Sequence, residues 1–198
     1  MGKKVVRRIG IFGGTFNPPH MGHLIAAERV CEVLRLDKMY FIPSFISPHK
    51  RTGEETLARH RLAMVKLAVL GRKSFELSSV EVAAKETSYT YKTIELFRKR
   101  FPGSELYFIV GMDNYVTFHT WKYPDRISKS ATMVVVNRPS EKPRRFRSRF
   151  AKSARFVTIP NIEISSTDVR ARVRNGRSIR YLVPPAVERY ILRKKLYR

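Results

Sequence analysis

The chain has 198 residues, 43% of them hydrophobic, which suits one domain with a buried core, and no apolar run nears the ~20 residues of a membrane-spanning helix. Its single cysteine, Cys31, excludes an internal disulfide and a cysteine-based zinc site. A net charge of +24 favours anionic partners and leaves nucleotides, nucleic acids and a solvated basic surface all open.

The basic start (Lys3, Lys4, Arg7, Arg8) precedes an apolar stretch too short for a signal peptide, so the expected location is the cytoplasm. That stretch, Ile9–Phe12, reads as a strand ending in Gly13-Gly14. After the turn Asn17-Pro18-Pro19 come His20 and His23, opening an amphipathic helical pattern over Leu24–Leu34. Glycines let a backbone approach a ligand closely, and a helix N-terminus offers free N–H groups and a positive dipole end. Two imidazoles three residues apart share a helix face and can meet one phosphate. The loop lacks the Gly-Lys-Ser/Thr of a Walker motif and the Gly-x-Gly-x-x-Gly of a dinucleotide fingerprint.

Further strand-like runs follow at Met39–Ile42, Phe75–Val80, Leu106–Val110, Met133–Val136 and Phe156–Ile159. Helical patterns alternate with them at Thr56–Leu70, Thr90–Arg100, Tyr115–Phe118, Pro124–Ser128, Thr167–Val173 and Pro185–Leu196. Such alternation predicts an α/β, doubly wound parallel sheet with helices on both faces, whose ligands bind off the carboxyl ends of the strands. No linker or repeat divides the chain, so residues 1–198 read as one domain with a core over about 8–191. Residues 140–153, polar and basic, read as a mobile loop or an exposed helix. Between Arg138 and Arg198 stand eighteen Lys and Arg against four Asp and Glu.

Beyond the last strand-like run lies a second anion cradle, Ile164-Ser165-Ser166-Thr167-Asp168-Val169-Arg170. Ser165 with Asp168 makes a capping-box-like helix start, and Arg170, about one turn in, can fork onto phosphate oxygens. His60 and His119 have no ligand partners at fixed spacing and read as structural or surface residues. His20 and His23 lack a nearby third ligand for zinc.

The string GGTFNPPHMGH, with His20-Met21-Gly22-His23 as H-x-G-H, resembles the nicotinate mononucleotide adenylyltransferases of the H-x-G-H nucleotidyltransferase superfamily. Many members carry Asp where Asn17 stands. I-S-S-T-x-x-R resembles the superfamily's second nucleotide motif, and Ser88-Tyr89-Thr90 the family's S-Y-T. Gly111-Met112-Asp113 resembles its G-x-D, Trp121 its downstream tryptophan, and Ser47-Pro48-His49-Lys50 its P-P-H-K, with Ser47 replacing a proline. The resemblance spans about Arg8 to Ile191 and implies a Rossmann-like fold.

It further implies transfer of AMP from ATP to nicotinate mononucleotide in NAD biosynthesis, with Mg²⁺, giving deamido-NAD and pyrophosphate. His20, His23 and Arg170 would be catalytic; Gly13, Gly14, Thr15, Phe16, Gly111, Asp113, Ile164, Ser165, Ser166 and Thr167 would join them around ATP. Lys50, Thr90, Trp121 and Arg138 would bind the acceptor. Backbone N–H groups facing a carboxylate would favour nicotinate, because an amide sets donor against donor. Asp113 as a Mg²⁺ ligand or a ribose contact stays open, as does a homo-oligomer. The alternatives are another acceptor (nicotinamide mononucleotide or phosphopantetheine), or a nucleic-acid-binding protein on the same fold using its basic final third.

Overall fold

The computed structural model describes residues 8–46, 57–137 and 149–198. The expectations at Lys50 and Arg138, and those for residues 140–148, lie outside them. Among the described residues six strands form one parallel sheet: β1 (Arg8–Gly14), β2 (Lys38–Pro43), β3 (Phe75–Leu77), β4 (Glu105–Gly111), β5 (Thr132–Asn137) and β6 (Ala154–Thr158). Their order is β3-β2-β1-β4-β5-β6, the doubly wound arrangement expected from the alternation. Winding reverses between the adjacent strands β1 and β4, which opens a crevice at their carboxyl ends.

Successive strand residues point to opposite faces, and the core divides accordingly. On one face Phe12, Tyr107, Ile109, Val134 and Val136 pack with α1 (Met21–Leu34) and α2 (Ala58–Val69) through Val30, Leu34, Val65 and Val69. On the other, Ile9, Ile11, Leu106, Phe108, Val110, Met133 and Val135 meet α4 (Thr90–Arg100) and α6 (Pro124–Ser130) through Ile94, Phe97 and Ile127. Runs buried on both faces are why these strands read as continuous apolar stretches. A third cluster joins Met64 and Ala68 of α2 to Val169 of α7 (Ser166–Arg174), and to Val187 and Ile191 of α8 (Pro185–Arg193).

Two expectations need correction. The run Phe75–Val80 is not one strand: β3 stops at Leu77, and Val80 begins a short helix, α3 (Val80–Ala84). Ser78 turns the chain by donating its N–H to the Phe41 carbonyl at 2.9 Å, and the Ser79 carbonyl accepts from Ala83 N–H at 2.8 Å. The Tyr115–Phe118 pattern is likewise two pieces, α5 (Met112–Val116) and a 3-10 turn at Phe118–Thr120. At the end of the basic segment, residues 149–153 are pinned. Phe150 is buried with its ring 4.8 Å from that of Phe118, and Arg149 pairs with Asp125 at 3.0 Å.

Candidate active site

A cleft of about 1200 Å³ occupies the crevice at the ends of β1 and β4. It is lined by Gly13, Gly14, Thr15, Phe16, His20, His23, Thr90, Gly111, Asp113, Trp121, Ile164, Ser165, Ser166, Thr167 and Arg170, every expected site residue within the described parts of the chain. His60 and His119 stand outside it, hydrogen-bonded to the Tyr190 hydroxyl (2.9 Å) and the Val116 carbonyl (3.1 Å).

Helix α1 starts at Met21, three residues before the apolar periodicity, because the two histidines cap it. His20 is the extended N-cap residue, and its backbone N–H donates to Nδ1 of His23 at 3.2 Å. The backbone N–H of His23 in turn donates to the His20 carbonyl at 3.0 Å, which closes the first turn beneath the two rings. With Nδ1 of His23 accepting, the neutral ring carries its proton on Nε2, so its donor faces away from the helix. The two rings lie 3.7 Å apart, tilted by 30°, and the edges of Phe16 and Phe12 wall in His23 at 5.0 and 6.1 Å. Gly22 permits this stacking: a Cβ there would stand 3.1 Å from Nδ1 of His20.

The second cradle has the expected cap, with Asp168 N–H donating to Ser165 Oγ at 3.0 Å. What the sequence does not reveal is that the two cradles are joined. Ser166 Oγ donates to the Pro18 carbonyl at 2.9 Å, and Arg170 donates to the Asn17 carbonyl at 2.9 Å and to Thr167 Oγ1 at 3.3 Å. The N-termini of α1 and α7 therefore face one volume, and their N–H groups and dipoles add there.

Toward the other end, Gly111 closes β4 and caps α5, which carries Asp113 in its first turn, exposed to the cleft. Trp121 is half-buried against Phe108 (5.9 Å) and Phe118 (5.5 Å) while lining the cleft, so it is both packing and wall. Thr90 opens α4 beside Tyr89 and Ser88. Among the described residues no group of three or more His, Cys, Asp or Glu is placed to hold a metal ion.

Three supporting residues escaped the sequence reading. Arg61, 5% exposed, donates to the carbonyls of Thr15 (3.0 Å), Ser44 (2.5 Å) and Phe45 (2.9 Å), which ties the loop after β1 to the loop after β2. Its signal was a cation on the same helical stripe as Met64, Val65 and Ala68. Glu81 lines the cleft and accepts from Thr93 Oγ1 at 2.6 Å; burial holds its carboxyl above the ordinary value. Tyr197 donates from its hydroxyl to Asn17 Oδ1 at 2.7 Å, across 180 positions that no local pattern links.

The profile of the cytidylyltransferase-like family matches residues 11–172. A curated protein of Salinibacter ruber named "Probable nicotinate-nucleotide adenylyltransferase" is 41% identical over 190 residues, covering 96% of this chain and 97% of that one. One of the same name from Bacillus licheniformis is 38% identical over 192 residues, covering 97% and 99%. The fold is shared with the Plasmodium falciparum nicotinic acid mononucleotide adenylyltransferase. Its complexes with APC and with NaAD each match at TM-score 0.76 over 96% of this chain and 97% of that one, at 18% and 19% identity.

Proposed function

Because the chain belongs to the nicotinate-nucleotide adenylyltransferase family, within the cytidylyltransferase-like group, we propose that it transfers the adenylyl group of Mg-ATP to nicotinate mononucleotide. A phosphate oxygen of the acceptor forms the new bond to the α-phosphorus. The bond from that phosphorus to the bridging oxygen breaks, and pyrophosphate departs with the electron pair. The products are deamido-NAD and pyrophosphate. The nucleophile is already an anion at neutral pH, so the protein's tasks are positioning and charge stabilisation, with no proton to remove.

The observation that carries the reading is the junction of the cradles through Ser166–Pro18 and Arg170–Asn17. It sets two helix N-termini, two imidazoles and a guanidinium along one end of the cleft. His23, donating from Nε2, and His20 meet the α-phosphate, while Arg170 and the amides at Ser165–Thr167 hold the leaving pyrophosphate. Gly13 to Phe16 and Gly111 border the nucleotide. Mg²⁺ would enter with ATP, held mainly by the substrate's phosphates, and Asp113, which lines the cleft along with Glu81 and is the exposed one of the two, would be the carboxylate available to it. Thr90 and Trp121 frame the pyridine ring; Lys50 and Arg138 contact the acceptor from outside the described residues. The reaction belongs to the cytoplasm, with ATP and the mononucleotide as partners.

The test is pyrophosphate release with Mg-ATP and nicotinate mononucleotide, nicotinamide mononucleotide or phosphopantetheine. Preference for the first supports the reading, and His23→Ala is expected to lose about 10²-fold or more in turnover. A loss below about ten-fold would refute the role given to His23.

A further inference from the structure

Lys122 follows Trp121 directly, at the end of the 3-10 turn, and lines the cleft. Its Nζ lies 4.6 Å from the centre of the Tyr89 ring and 5.7 Å from that of Tyr123. Aromatic faces hold a cation through their quadrupole without cancelling its charge. Neighbouring cations are matched by acids: Arg126 with Glu95, Arg149 with Asp125 at 3.0 Å, Lys92 with Glu86 at 2.9 Å. Among the described residues the Lys122 ammonium makes no ion pair. Among the described residues, a positive charge that no carboxylate neutralises therefore stands over Tyr89, next to the start of α4 at Thr90, on the cleft wall that also includes Trp121.

We propose that Lys122 strengthens this cleft's preference for a pyridine ring bearing a carboxylate over one bearing a carboxamide, adding a point charge to the backbone N–H groups expected there. The inference rests on the reading that Thr90 and Trp121 frame the acceptor ring. A flat ring on that wall presents its exocyclic group to whatever borders the tryptophan. There an ammonium on a flexible stem acts as a point charge, attracting a carboxylate and gaining far less from a neutral amide. The acceptor's phosphate does not compete for this position, because it must reach the α-phosphorus at His20 and His23. Seating on Tyr89 also removes part of the rotamer freedom that a free lysine loses on binding.

The experiment compares wild type with Lys122→Met, which keeps a stem over Tyr89, and with Lys122→Arg, which keeps the charge. The quantities are kcat/KM for nicotinate mononucleotide and for nicotinamide mononucleotide, KM for ATP, and the affinity of each mononucleotide by calorimetry. For Lys122→Met the expected result is a loss of about ten-fold with nicotinate mononucleotide only. KM for ATP and the thermal midpoint stay unchanged, and Lys122→Arg restores most of the preference. Equal losses with both acceptors would overturn the proposal, since the charge would then serve the shared phosphate; so would an unchanged ratio. If wild type turns over neither acceptor, the proposed reaction fails, and calorimetry still decides the inference. A preference for the acid that weakens in Lys122→Met sustains it; a preference absent in wild type, or unchanged in Lys122→Met, refutes it.

Discussion

Replacing Gly22 by alanine separates the geometry of the histidine pair from the stability of the helix that carries it. The added methyl would lie 3.1 and 3.2 Å from Nδ1 and Cε1 of His20, where ordinary contact begins at 3.4 Å, so the ring must recede by a few tenths of an ångström. It has little room to do so, because the His23 ring is stacked 3.7 Å away and is itself walled by Phe16 and Phe12. Any displacement of His20 therefore passes into His23. Misplacing reacting groups by about 1 Å can cost about 10²-fold in rate, so a few tenths of an ångström shared by both rings should lower kcat about four- to ten-fold. Stability should change little, since the gain of up to ~1 kcal/mol from replacing glycine by alanine in a helix is opposed by the crowding against His20. The assay is steady-state pyrophosphate release together with urea unfolding, on Gly22→Ala, His20→Ala and the double variant. Once the His20 ring is gone, the methyl meets nothing closer than Ile162 Cγ2 at 3.8 Å, so the double variant should be no slower than His20→Ala. A further ten-fold loss in the double variant would refute the steric argument.

Arg61→Met leaves the carbonyls of Thr15, Ser44 and Phe45 without their shared donor; urea unfolding should show a loss of about 3–5 kcal/mol, and a loss under about 1 kcal/mol would contradict the clamp. Glu81 has its carboxyl raised above 4.5 chiefly by burial, so the folded state binds that proton more tightly than the unfolded chain. Its contribution to stability is complete below 4.5 and is lost as pH rises through the raised folded value. Glu81→Gln, still able to accept from Thr93, should flatten that slope and raise the thermal midpoint at pH 7 by about 2–4 °C, measured by scanning calorimetry from pH 4 to 8. Burial pushes the Cys31 thiol up to about 12, so a disulfide reagent at pH 8 should label it only after unfolding; fast labelling of the native protein would show that α1 opens locally.

The alternation of apolar runs with helical patterns was enough for the doubly wound sheet, because strands buried on both faces must be continuously apolar and each crossover needs a helix. Both phosphate motifs were also local matters: paired glycines, a proline turn and helix caps act within a few residues. The same holds for the α4 boundary, where Thr90–Arg100 reads identically in sequence and structure. Helix α1 began three residues early because its cap is made by histidines, which propensity does not rank as caps. The split of Phe75–Val80 rested on a hydrogen bond from Ser78 to Phe41 on another strand.

Only the tertiary structure could join the two cradles, since Ser166 and Arg170 reach Pro18 and Asn17 across 148 and 153 positions. The same holds for Tyr197 on Asn17, for Arg61 as a clamp between two loops, and for Lys122 seated on Tyr89. Periodicity and capping are short-range and repeat along the chain, so sequence carries them. Convergence of distant side chains on one volume depends on how the helices pack onto the sheet, and no local pattern encodes that.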